Sequence, residues 1–238
     1  MTPSLESRAK RHYLGVSMAS SPEGFVIELD GRVVRTPAGR RMVLPTEALA
    51  QLVADEWGVQ KDAIDFQTMP ATRLARAGLD ALPAARAEFV RRVAGYAVDD
   101  LLHYFAEGPA ELVRRQEASW GPVLDWARDD LGLTFCRTSG IAHVNQPPET
   151  LASVETMALA LTDFPLIGLA AAAPLFGSAI LAIAVLKGRL SGEEALAASR
   201  IDEDFQADTW GCDAEAVERV QAMMIEAQML DRWFEALR

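Results

Sequence analysis

The segment Gly24-Phe25-Val26-Ile27-Glu28-Leu29-Asp30-Gly31-Arg32-Val33-Val34-Arg35-Thr36-Pro37 decides the fold at the N-terminal end of the chain. Asp-Gly between apolar runs is a strong hairpin signal, because a two-residue primed turn needs positive φ at both positions and these residues tolerate it. Phe25, Ile27 and Leu29 alternate with Val26 and Glu28, so one face of the first arm is fit for burial. Further short runs lie on either side, at residues 13–18 and 41–44. Ser20-Ser21-Pro22-Glu23-Gly24 and Pro37-Ala38-Gly39 supply the intervening turns. Four short strands, at 13–18, 24–30, 32–36 and 41–44, are expected.

From Pro45 onward the apolar period lengthens from two to about 3.6, the signature of amphipathic helices. Thr46 is expected to cap a helix whose buried stripe is Leu49, Leu52, Val53 and Trp57. Met69-Pro70 opens a second helix carrying Leu74 and Leu79, and Pro83 a third carrying Phe89, Val93 and Tyr96. Residues 100–105 read either as a strand or as the end of that helix. A long helix over 112–131, bent near Gly121-Pro122, precedes an extended excursion through 134–137 and 141–144. After Pro147-Pro148 comes a helix with Leu151, Val154, Met157, Leu159 and Leu161. Helices over 191–210 and 213–237 finish the chain, the first with Ser191 and Glu194 as a capping box. The expected class is α+β: a small N-terminal antiparallel β domain, residues 1–66, followed by a larger all-helical domain, residues 67–238.

Residues 164–186 contain no charge and are long enough to cross a bilayer. Pro165, Gly168, Pro174 and Gly177 punctuate the stretch, aromatic belts are missing, and Asp163 makes its flank acidic. Pro174 divides it into 164–173 and 175–187, two lengths typical of buried helices. A central helical hairpin is expected, and no membrane span.

Of the 238 residues, 50% are apolar and 24% charged, enough for a packed core. The net charge of −11 repels phosphate backbones, so nucleic acid and anionic lipid are excluded as partners and a basic or nascent polypeptide is favoured. Two distant cysteines, Cys136 and Cys212, define neither a disulfide framework nor a metal knuckle. The first residues show no apolar core of a signal peptide and no transit presequence, so a cytoplasmic, bacterial location is expected.

No catalytic constellation stands out. Phosphate-loop, dinucleotide, nucleophile-elbow and zinc-helix motifs are missing from the sequence. Asp99 and His103, at i and i+4, are the one pair that could serve a small metal- or histidine-dependent enzyme, but further ligands are not evident. A lone Asp–His hydrogen bond is the simpler reading. No cofactor, metal or small-molecule ligand is expected.

The stretch Ser199-Arg200-Ile201-Asp202-Glu203-Asp204-Phe205-Gln206-Ala207-Asp208-Thr209-Trp210-Gly211 carries four acids and one base. On the carboxyl end of a helix over 191–210 these acids would oppose the macrodipole by about 0.3–1 kcal/mol each. Asp204 and Asp208 form a like-charge i,i+4 pair that only Arg200 is placed to relieve. Two readings fit: a solvated acidic face, or a grip on a basic partner in which Asp202, Glu203, Asp204, Asp208 and Trp210 make the contact. Trp57 belongs to a buried stripe, whereas Trp210 sits beside the acids just before a helix-ending glycine. Met223, Met224 and Met229 on the last helix read as core filler.

These residues together resemble a known family. Asp30-Gly31-Arg32-Val33-Val34-Arg35-Thr36-Pro37, Leu44-Pro45-Thr46, Glu56-Trp57, Thr68-Met69-Pro70 with Thr72, and Ser199-Arg200-Ile201-Asp202-Glu203 with Trp210-Gly211 are similar to the assembly chaperones of the F-type ATP synthase catalytic head. These are mitochondrial and α-proteobacterial factors. The resemblance implies a β N-terminus, a helical C-terminus and no enzymatic activity. It implies ATP-independent binding of the unassembled α subunit, whose interface is shielded until the β subunit replaces the chaperone. It places the functionally sensitive acid at Asp202-Glu203. Asp202 stands where relatives often carry Glu, which leaves open which of the two makes the essential contact. Past Gly211 the resemblance fades.

Overall fold

The computed structural model of the chain describes residues 9–211 and 214–238. Residues 1–8, on which the location expectation rests, Cys212 and the helix start expected at Asp213 lie outside the described residues. The fold is α+β, as the alternation of turn signals and helical periods implies. Contacts divide it into two compact units, Met1–Ala84 with Glu235–Arg238, and Ala85–Phe234.

In the first unit, strand β1 (Ala9–Lys10) is followed by β2 (Val16–Ser21), β3 (Gly24–Leu29), β4 (Arg32–Val33) and β5 (Val43–Leu44). β3 is central: β2 pairs with one edge, and β4 and β5 share the other, all antiparallel. The Leu29–Arg32 pair closes a two-residue turn in which Asp30 and Gly31 have φ of 48° and 76°. The Asp30 carboxylate also accepts the Leu14 and Gly15 N–H groups, which hold its pKa below the ordinary value. Strict one-face burial does not survive, since Val26 and Ile27 are both buried at the middle of the sheet. Tyr13, expected in a strand, instead points inward, and its hydroxyl donates to Trp57 O at 2.8 Å.

Helix α1 (Glu47–Gly58) starts as expected, with Thr46 Oγ1 accepting the Leu49 N–H, and buries Leu49, Leu52, Val53 and Trp57. Strand β6 (Ala63–Ile64) pairs with β1, a contact with no periodic signal in either dipeptide. Helix α2 (Pro70–Asp80) belongs to this unit, which therefore runs past the boundary expected at residue 66. The cause is chemical. Glu56 on α1 accepts the Ala71 and Thr72 N–H groups at 2.7 Å each, and Asp80 at the far end of α2 accepts from Thr36 Oγ1 at 2.6 Å.

Helix α3 (Leu82–Val98) kinks at Ala85, where the second unit begins. Residues 100–105 are neither of the expected alternatives alone: a 3-10 turn leads into strand β7 (Tyr104–Phe105). Helix α4 (Ala110–Leu131) contains Pro122, and strand β8 (Thr138–Ser139) then pairs in parallel with β7. The remaining helices are α5 (Pro148–Ala160), α6 (Asp163–Phe176), α7 (Ala179–Leu186), α8 (Gly192–Ser199), α9 (Ile201–Trp210) and α10 (Ala214–Glu235).

The uncharged stretch forms the buried hairpin α6–α7, and residues 179–185 of α7 are all buried. Its reversal is at Gly177, with φ of 61°, and not at Pro174, which sits inside α6. Proline deletes one hydrogen bond near a helix end, whereas a left-handed residue turns the chain, so glycine rather than proline sets the corner. Buried Asp100 accepts the Ile180 N–H at the start of α7 at 3.1 Å. Among the described residues no helix is long and apolar enough to cross a membrane.

Candidate functional site

The helix expected over 191–210 is broken. Arg200, with φ −116° and ψ 12°, separates α8 from α9, and its own N–H bonds back only to Ala197 O. The Asp204 N–H then bonds to Arg200 O at 2.8 Å and starts a new helix. This break corrects the expectation that the acids oppose the dipole. Asp202, Glu203 and Asp204 occupy the first turn of α9, where exposed N–H groups and the positive pole favour acids by about 0.3–1 kcal/mol each. Only Asp208 lies near the carboxyl end.

Three of the four acids have partners. Asp202 Oδ1 accepts from Gln116 Nε2 of α4 at 2.6 Å, and Gln116 is fully buried. Asp208 pairs with Arg115 of α4 at 2.8 Å, and Asp204 with Arg200 at 3.2 Å. The Arg115 guanidinium also lies over the Phe205 ring, 5.3 Å from its centroid. Arg200 relieves Asp204 as expected; Arg115, far away in sequence, was missed. Both ion pairs keep their carboxylates largely exposed, so water screens them and each contributes little to stability. Glu203 is exposed beside them.

Trp210 closes the site. It is 78% exposed, while Trp57, Trp120 and Trp233 are buried. An indole held in water offers a large apolar area that a partner can cover with little loss of side-chain entropy. Glu203, Ala207 and Trp210 face α10 across an open groove of about 510 Å³, also lined by Val220 and Met223. Met229 is buried as expected of core filler, whereas Met223 and Met224 are only half-buried.

The histidine alternative does not assemble. Asp99 accepts a hydrogen bond from the Tyr104 hydroxyl, and buried His103 takes one from Gln146 Nε2 at 3.1 Å on Nδ1. Burial depresses the His103 pKa to about 4, against the pull of Asp99. Among the described residues no three His, Cys, Asp or Glu side chains are grouped to hold a metal.

The sequence profile of the ATP12 chaperone protein family matches residues 10–128, half of the chain. The chain belongs to that family. ATP12 proteins are assembly chaperones of ATP synthase, a role that implies no enzymatic activity. "Protein atp12, mitochondrial" of Schizosaccharomyces pombe is 26% identical over 199 residues, covering 78% of this chain and 68% of that protein. The crystal structure of Atp12 from Paracoccus denitrificans superposes with a TM-score of 0.90 at 35% identity, covering 97% of this chain and 99% of its own. A mutant of the P. denitrificans protein with one aspartate changed to lysine matches with the same TM-score of 0.90, at 34% identity over 97% of this chain and 98% of its own.

Within the ATP12 motifs, the residues of the first unit have structural duties. Asp30 ties down the β1–β2 connection, Thr36 is bound by Asp80, and Glu56 holds the start of α2. On α9, Asp202 shares such a duty through Gln116, whereas Glu203 and Trp210 are exposed.

Proposed function

We propose that this ATP12 chaperone binds the unassembled α subunit of the F-type ATP synthase through α9, with Asp202, Glu203, Asp204, Asp208 and Trp210 as contacts. It acts in the cytoplasm, without ATP, by covering an interface that the β subunit later takes. The observation that carries the reading is the 78% exposure of Trp210 on a helix with four acids and no lysine or arginine of its own. Acids steer a basic surface into place, and the indole supplies apolar contact once it arrives. The β subunit displaces such a cap by offering a larger and more apolar interface.

The test is to co-express the α subunit with this chain and to measure soluble α with nucleotide removed by apyrase. Expected are a rise in soluble α and a co-eluting complex on size exclusion. Unchanged solubility with no complex rejects the proposal, and a complex that needs ATP rejects its nucleotide-independent part.

A further inference from the structure

Ala216, Val220, Met223, Ala227 and Leu230 form a single apolar stripe along α10, at i, i+4, i+7, i+11 and i+14. Only its second half is sealed. Ala227 and Leu230 are buried, and Gly192 of α8 approaches so closely that a Cβ there would stand 2.0 Å from Ala227 O. The first half, with Ala216, Val220 and Met223, opens instead into the groove shared with α9. Val220 and Met223 are only half-buried there.

The net charge around this surface is negative, although Arg200 and Arg219 also line the groove. The units that the contacts define divide the charge unevenly: residues 85–234 hold 23 acids and 12 bases, and the rest of the chain 11 of each. The whole surplus therefore belongs to the helical unit, and the sequence 200–226 holds eight acids against two arginines. Both arginines are engaged, Arg200 with Asp204 and Arg219 with Glu215, each at 3.2 Å.

We infer that the α9–α10 groove seats an amphipathic helix of the client subunit, its apolar face on Trp210, Val220 and Met223 and its Arg or Lys side chains over the acidic rim. The inference rests on the proposed binding of the α subunit and extends the contact surface to α10. The open stretch of α10, residues 216–223, is about 12 Å long at 1.5 Å per residue, enough for roughly two turns of a docked helix. A second copy of this chain fits badly, since it would set acid against acid.

The test measures the affinity of the purified full-length protein for the α subunit, with Met223→Glu and Val220→Glu as variants and Leu159→Glu as control. Leu159 is an exposed apolar residue of α5, outside the groove. Expected is a loss of about tenfold or more for Met223→Glu and a several-fold loss for Val220→Glu, with Leu159→Glu unchanged. Val220 is only half-buried, so its variant carries the test should Met223→Glu fail to fold. Wild-type affinity in both groove variants overturns the inference while leaving binding of the α subunit intact. Absence of binding by the wild type removes both. A dimer of the free protein that Val220→Glu dissolves would also overturn it, by making a second copy the occupant.

Discussion

Gln116 fastens Asp202 to the interior of the helical unit: its Nε2 donates to Asp202 Oδ1 at 2.6 Å while its Oε1 accepts the Ala106 N–H at 2.8 Å. A fully buried amide is thus satisfied at both ends, and one end depends on a candidate binding residue. Asp202 therefore serves the interior of the fold as well as any partner, whereas Glu203 is exposed.

Substitutions at these neighbours should separate the two duties. Asp202→Ala strands a buried amide donor and should cost about 1–3 kcal/mol in urea denaturation. Asp202→Asn keeps an acceptor and should cost about 1 kcal/mol or less. Glu203→Lys strands no buried group and loses only the favourable first-turn charge at an exposed position, so it should cost about 1 kcal/mol or less. Equal midpoints for Asp202→Ala and wild type would show that the Gln116 contact contributes nothing.

A second carboxylate, Glu56, does for α2 what an N-cap residue does from within a helix, but from the neighbouring helix. Glu56→Ala removes acceptors for two backbone donors and should lower stability by about 2 kcal/mol. Glu56→Gln keeps one acceptor oxygen and should fall between. Thermal unfolding by circular dichroism reads both, and an unshifted Tm for Glu56→Ala would contradict the capping role.

The close approach of α8 and α10 gives a third expectation. A Cβ on Gly192 meets backbone, which cannot swing aside, so Gly192→Ala should cost about 3 kcal/mol or more. Gly58→Ala, with open space around the added carbon, is the matched control. A neutral Gly192→Ala in chemical denaturation would mean that α10 is not held there.

Two buried groups in one turn should oppose each other in pH. Burial depresses His103 from 6.5 to about 4, so its contribution is full above pH 6.5 and is lost as pH falls towards 4. Burial raises Asp100 from 3.8 to about 6, against the hydrogen bonds it accepts, so its contribution is full below pH 3.8 and is lost as pH rises towards 6. The slopes nearly cancel in the wild type. His103→Gln keeps an acceptor for Gln146 and leaves Asp100 unopposed, so its stability should fall between pH 4 and 6 by up to about 3 kcal/mol. A parallel pH profile for variant and wild type would contradict this.

What the sequence revealed was what local chemistry decides. Asp30-Gly31 built the turn it promised, Thr46 capped α1, and Ser191 with Glu194 closed a capping box. The break at Arg200 was hidden because the helical pattern runs through it, while the contacts that hold α9 come from Gln116 and Arg115, far back in the chain. For the same reason the composition of the acidic site was legible and its polarity was not. Acids placed at the wrong end of one helix proved to be at the right end of the next. The corner at Gly177 was missed because proline is the louder breaker in sequence, although a left-handed glycine makes the sharper turn.

The most direct measurement is calorimetric titration of the ATP synthase α subunit into this chain, nucleotide-free, with the wild type and a Glu203→Lys/Trp210→Ser variant of matched Tm. The expected result is a saturable complex for the wild type and binding weaker by about tenfold or more, roughly 1.4 kcal/mol, for the variant. Equal affinity for the two proteins would contradict a docking surface on α9.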